Sequence, residues 1–96
     1  MDVESFRGTL HLAEPPDGRS LALQTLWWDA KNDWARAHQC AQEDAGKTGS
    51  SVHAYLHRKE GDLSNARYWY SRAGRTPATG TLDSEWEALA RELLAA

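Results

Sequence analysis

Residues 54–73 read AYLHRKEGDLSNARYWYSRA, and a fainter copy of that pattern lies 29 positions earlier. Asp33, Trp34 and Ala37 fall on Asp62, Leu63 and Ala66, while Leu23 and Trp27 fall on Val52 and Leu56. Asn32 falls on Gly61, at the place where each unit would turn. A fixed period of this size marks stacked repeats, each a supersecondary unit that cannot bury its apolar face alone. The pattern predicts an all-α fold: two stacked antiparallel helical hairpins followed by a C-terminal capping helix.

Outward from this stretch, the punctuation divides the chain. Gly61 and Asp62 predict a turn and an N-cap, with helices over 50–60 and 62–73 on either side. The second of these carries Leu63, Ala66, Tyr70 and Ala73 on one stripe. In the earlier copy, Asn32 and Asp33 play the same two parts. They separate a helix of about 20–31, striped by Leu23, Leu26, Trp27 and Ala30, from one of about 33–44, striped by Trp34, Ala37 and Ala41. The polar run EDAGKTGSS, 43–51, reads as a loop between the hairpins. Ser84 with Glu87 three residues on predicts a capping box for the last helix, whose stripe is Leu82, Trp86, Leu89 and Leu93. Val3, Phe6, Leu10 and Ala13 predict a short amphipathic helix over 2–13, stopped by Pro15-Pro16-Asp17-Gly18. The expected organisation is one domain, 1–96: an N-terminal segment 1–18, hairpins 19–45 and 50–74, and a capping helix 82–95.

Ninety-six residues suit one domain with a modest core, to which five Trp, three Tyr and one Phe contribute much of the area. The net charge of −3 is uneven. Residues 51–80 hold five bases against two acids, between flanks that are each three charges negative. That is too little positive charge for a general nucleic-acid binder, which neutralises many phosphates. A lone cysteine, Cys40, excludes an internal disulfide and fits a reducing compartment. The opening MDVESFRGTLHLAE has acids where a secretory leader needs bases. No run approaches the ~18–20 apolar residues of a membrane span. The expectation is a cytoplasmic chain with no membrane or nucleic-acid partner.

The second hairpin resembles a tetratricopeptide repeat. Gly61, Ala66, Tyr70 and Ala73 match that family's small turn residue, its early alanine, its aromatic four residues later and its final alanine. Pro77 sits near its closing proline. The likeness departs from the family in the first helix of the hairpin. Ser50 stands where Trp is preferred and His57 where Tyr is preferred, and the offset of 29 falls short of the family's roughly 34. The resemblance implies protein or peptide binding. The strings LWWDAKNDWARAH, 26–38, and VHAYLHRKEGDLSNARYWY, 52–70, are also similar to a group of short bacterial and fungal proteins of uncharacterised function. That likeness implies no activity.

The leading functional expectation is therefore an interaction module for an unidentified protein or peptide, without catalytic residues or cofactor. Trp28, Tyr55 and Arg58 would line its groove, with Trp69 as a second exposed aromatic anchor. Arg58, Lys59, Arg67, Arg72 and Arg75 would suit an acidic peptide or a small anion. A homodimer through the Leu89/Leu93/Leu94 helix is the accompanying expectation, since so few repeats leave apolar ends.

The alternative is a metal or small-ligand site, of binding or enzymatic character. His53 and His57 are four apart on a helix and so share a side, and the hairpin alignment brings His38 to face them. Three imidazoles could hold a metal ion, with Glu60 or Glu43 as a fourth ligand. Ala54 stands where a zinc protease of HExxH type needs its general base. Gly46-Lys47-Thr48 is no phosphate loop, because Ala41 replaces the required earlier glycine and a helix precedes it. Cys40 has no local activator.

Overall fold

Gly61 sits at φ 86°, and the next residue, Asp62, accepts a hydrogen bond from the Asn65 N–H. The turn and cap read from EGDLSN therefore form as residue chemistry dictates. Asn32, at φ 62°, and Asp33, capping the Arg36 N–H, repeat the device 29 residues earlier. A computed structural model describes all residues, 1–96, and every regular element in it is helical. The helices are α1 (Val3–Arg7), α2 (Leu21–Ala30), α3 (Trp34–Glu43), α4 (Lys47–Lys59), α5 (Leu63–Ala73) and α6 (Leu82–Ala95).

Helices α2 and α3 pack together across their short turn, as do α4 and α5, and α4 also packs against α2 and α3. Short connections force such neighbours to run antiparallel. Helix α6 closes over α2 and α4, and α1 rests on α6. The main core gathers Phe6, Leu23, Leu26, Trp27, Val52, Leu56, Trp86 and Leu89, all under 5% exposed. Helix α5 contributes nothing to it. Its Ala66 and Tyr70 pack with Ala54 of α4 in a separate small seam, and α4 is the helix it packs against, with a single tie from the Tyr70 hydroxyl to Glu85 of α6.

The structure revises several sequence expectations. Helix α1 stops at Arg7 instead of reaching residue 13. Gly8 weakens the helix, the Thr9 hydroxyl donates to the Phe6 carbonyl, and Lys31 donates to the Leu10 and Leu12 carbonyls. The backbone groups that a longer helix would leave at its end are thus bonded elsewhere, and Ala13 is exposed.

The 43–51 loop contracts to a few residues, because α4 starts at Lys47 rather than near 50. The Asp44 carboxylate accepts from the Gly46 N–H at 2.9 Å and from the Thr48 hydroxyl at 2.8 Å, which ties down the first turn. Gly49 is required there: a Cβ would lie 2.0 Å from the Asp44 carbonyl oxygen. Polarity concealed this turn, since every residue that stabilises it is polar or glycine.

Thr81, not Ser84, caps α6, accepting from the Ser84 N–H at 3.0 Å. Leu63 lies outside the buried stripe at 56% exposure, because the α4 seam begins one turn later at Ala66. Leu89 is buried, and Leu93 and Leu94 are half-buried against the main core.

Candidate site: a histidine cluster between three helices

Helices α3 and α4 meet at their imidazoles. His38 projects from α3, and His53 and His57 project from α4 one turn apart. Their potential ligand nitrogens all lie within 4.8 Å of one another. The His38 and His53 Nε2 atoms are 2.9 Å apart, so one donates its proton to the lone pair of the other. His57 donates from Nδ1 to Glu60 Oε1 at 2.5 Å. That bond fixes the tautomer and leaves the His57 Nε2 lone pair facing the Asn65 amide NH2, at 3.3 Å.

Two tryptophans enclose the cluster. The Trp34 ring stacks on His38 with centroids 4.6 Å apart, and Trp69 of α5 stacks on His53 at 3.9 Å. His53 and His57 are themselves stacked at 4.9 Å. His53 and His57 are buried, whereas Trp34, His38 and Trp69 are half-buried. Trp69 is therefore no free surface anchor, and Trp34 both packs against the main core and walls the cluster.

Burial disfavours the charged imidazolium of His53, and His38 and His57 add repulsion, which brings its pKa down to about 4. His38 is lowered by burial and by His57, with Glu60 opposing. Both rings are thus neutral at physiological pH. The sign of the consequence follows from linkage. An unfolded chain takes up protons at these histidines below about pH 6.5, before the folded one does. Their contribution to stability is complete above that pH and is lost as pH falls toward the folded values. The thermal midpoint of the metal-free protein should fall by roughly 5 °C or more between pH 7.5 and pH 5, and His53→Gln should flatten that dependence. A midpoint rising on acidification would contradict the neutral cluster.

The remaining sequence candidates do not converge here. Tyr55 is only 3% exposed, and its hydroxyl donates to Asp29 Oδ2 at 2.8 Å deep between α2 and α4. Burial and the Asp29 charge push its pKa far up. Lys59 completes that group by pairing with Asp29 Oδ1 at 2.8 Å. Arg58 turns to Glu85 of α6 at 2.9 Å and to the carbonyl of Gly80 in the loop before that helix. Trp28 packs edge-on against Trp27 under the Arg36 guanidinium. Trp28, Tyr55 and Arg58 therefore line no common groove.

Glu60, not Glu43, belongs to the histidine cluster. Burial and the nearby Glu43 raise the Cys40 thiol pKa, so Cys40 supplies no ready thiolate. Sequence reasoning missed Asn65, Trp34 as an enclosing ring, and the buried Asp29. Asn65 was readable in principle, since the Gly61 turn folds α5 back over His57.

Comparison with protein-family models, with curated proteins and with solved structures found no match to this chain.

Proposed function

We propose that this protein binds a divalent transition metal ion, with zinc the favoured candidate, through His38, His53 and His57. One observation carries the reading: three imidazoles from two helices have their ligand atoms within 4.8 Å in a largely buried place. Imidazole suits zinc, copper, iron and nickel, and three such ligands leave one coordination position for water or a small ligand. A tetrahedral zinc with bonds of about 2.0–2.1 Å spaces its ligand nitrogens by about 3.3 Å. To reach that spacing the 2.9 Å between His38 and His53 opens by a few tenths of an ångström with loss of the shared proton, while His57, within 4.8 Å of the others, closes in and gives up the Asn65 amide.

The surroundings fit as well. The carboxylate of Glu60 on the far nitrogen of His57 is the usual device for orienting a metal-bound imidazole. The lowered pKa values of His38 and His53 remove proton competition at neutral pH. The second carboxylate-bearing set, His57, Glu60 and Asp62, is mostly exposed, and Asp62 already caps α5. It is the weaker candidate. Titration of zinc against a chromophoric chelator tests the proposal. One equivalent bound at micromolar concentration or tighter supports it, and no competition at all removes it.

The interaction-module reading keeps one supporting feature. Leu63 and Tyr68 are large, exposed hydrophobic residues on α5. Arg67 on the same helix forms no ion pair. Leu63 and Arg67, four apart, share a side of α5 that suits an acidic peptide with an apolar residue. Titration of a labelled Glu-rich peptide, with Arg67→Glu as the comparison, tests it, and equal affinities would exclude it.

A further inference from the structure

We infer that Asn65 tunes the affinity of the proposed metal site, because its side-chain amide competes with the ion for one lone pair of His57. The inference deepens the metal reading and rests on it. Asn65 is a positioning residue: it acts through His57 and not on the ion.

The turn between α4 and α5 puts Asn65 there. His57 lies in the last turn of α4 and Asn65 in the first turn of α5. Gly61 reverses the chain at φ 86°, the Asp62 N–H donates to the His57 carbonyl at 2.9 Å, and the Asp62 carboxylate accepts from the Asn65 N–H at 3.2 Å. The antiparallel register continues from there: Asn65 meets His57, and Trp69 meets His53. Residues four apart share a helix side, so α5 lays both side chains over the two imidazoles of α4.

The two contacts differ in what they occupy. Trp69 lies face to face with the His53 ring, 11° between their planes, and covers its π face. The lone pair of an imidazole nitrogen lies in the ring plane, so stacking leaves it alone. Asn65 takes a lone pair. Glu60 accepts the Nδ1 proton of His57, so Nε2 carries none and accepts from the Asn65 amide at 3.3 Å. One lone pair serves either that N–H or a metal ion. The other engaged lone pair, in the His38–His53 bond, is held within the ligand set, and no side chain can be removed to free it without removing a ligand. Asn65 lies outside that set, so its deletion frees a ligand atom and costs none.

Zinc titrated against a chromophoric chelator, with Asn65 variants beside the native chain, tests this. The net worth of an ordinary hydrogen bond corresponds to about 2–12-fold in an equilibrium constant. Asn65→Ala should therefore bind zinc tighter than the native chain by about that factor. Asn65→Asp has no proton to donate and adds a negative charge beside the cation, so it should gain more. Both variants keep the backbone bond to Asp62, and an acid in the first turn of a helix is favourable, so the circular dichroism should stay native. If Asn65→Ala does not fold, Asn65→Asp carries the test. In a His57→Ala background, Asn65→Ala should change zinc affinity by less than about twofold, since the contested lone pair is gone. A packing role predicts the opposite sign, because losing a half-buried contact loosens His57 and weakens zinc. Folded Asn65 variants that bind zinc no tighter than the native chain overturn the inference while metal binding stands. An equal gain with and without His57 also overturns it, because the effect then does not pass through that ring. If the native chain does not compete for zinc, the metal reading fails and this inference fails with it.

Discussion

His53→Ala should lower zinc affinity at least about 100-fold relative to the native chain, as loss of one of three protein ligands requires. His53 lies at the centre of the cluster, bonded to His38, stacked on His57 and covered by Trp69. Its loss leaves two imidazoles and opens a gap beneath the Trp69 ring. His38→Ala should do the same, whereas Glu60→Gln should weaken binding by only about 10–100-fold, because it perturbs the orientation of His57 and not the ligand set. Cys40→Ala should leave the affinity unchanged, since Cys40 is outside the cluster.

Packing and ligation can be separated by reading thermal stability with and without zinc. A bound metal raises the midpoint in proportion to the logarithm of its concentration over the dissociation constant. The native protein should show that rise and His53→Ala should not. If both proteins are stabilised equally by zinc, the ion binds elsewhere and the cluster is only a packed polar core.

The largest effect on the fold itself should come from Trp27→Ala, with a loss of about 3–5 kcal/mol in unfolding free energy. Trp27 is fully buried at the point where α1, α2 and α6 share the core. Its indole N–H donates to the Thr9 hydroxyl at 3.0 Å, and Trp28 meets its ring edge at 4.9 Å. Truncation removes the buried area, leaves a cavity and strands the Thr9 bond that anchors the N-terminal turns. A domain of this size has about 5–15 kcal/mol in total, so the variant should be largely destabilised or unfolded at 37 °C. Urea denaturation followed by circular dichroism measures the loss. Trp27→Phe should recover more than half of it, and a loss below about 1 kcal/mol for the alanine variant would mean that the core is not organised around this ring.

The helical fold was legible because its signals are local. Asn32-Asp33 and Gly61-Asp62 declare two turns, and the spacing of Leu23, Trp27, Val52 and Leu56 declares the buried sides. The seam of Ala66 and Tyr70 was readable for the same reason. The convergence of the three histidines followed from aligning the hairpins, so it too was available before any coordinates. Long-range polar pairs were not. Asp29 meets Tyr55 and Lys59 across 26 and 30 residues, and Arg58 meets Glu85 across 27. Nothing near any of these residues signals its partner, so Tyr55 and Arg58 read as surface binding groups when they are internal ties. Trp28 and Trp69 were misread for a related reason: a stripe calculation sees one buried side per helix, and each of these rings is covered from a second direction by Arg36 or His53.

Helix α5 packs its backbone on α4, through Ala66 and Tyr70 against Ala54 and the Trp69 ring on His53, with one side-chain tie to α6 from Tyr70 to Glu85 and another just beyond its end from Arg75 to Glu92. None of its side chains enters the main core, so it is the helix placed to open locally without global unfolding. Amide protons of α5 should therefore exchange with solvent deuterium faster than those of α2 and α4. Because Trp69 and Asn65 ride on α5, each excursion uncovers His53 and frees His57. Loading and release of an ion would then keep time with α5's fluctuations, leaving the two histidine-bearing helices at rest.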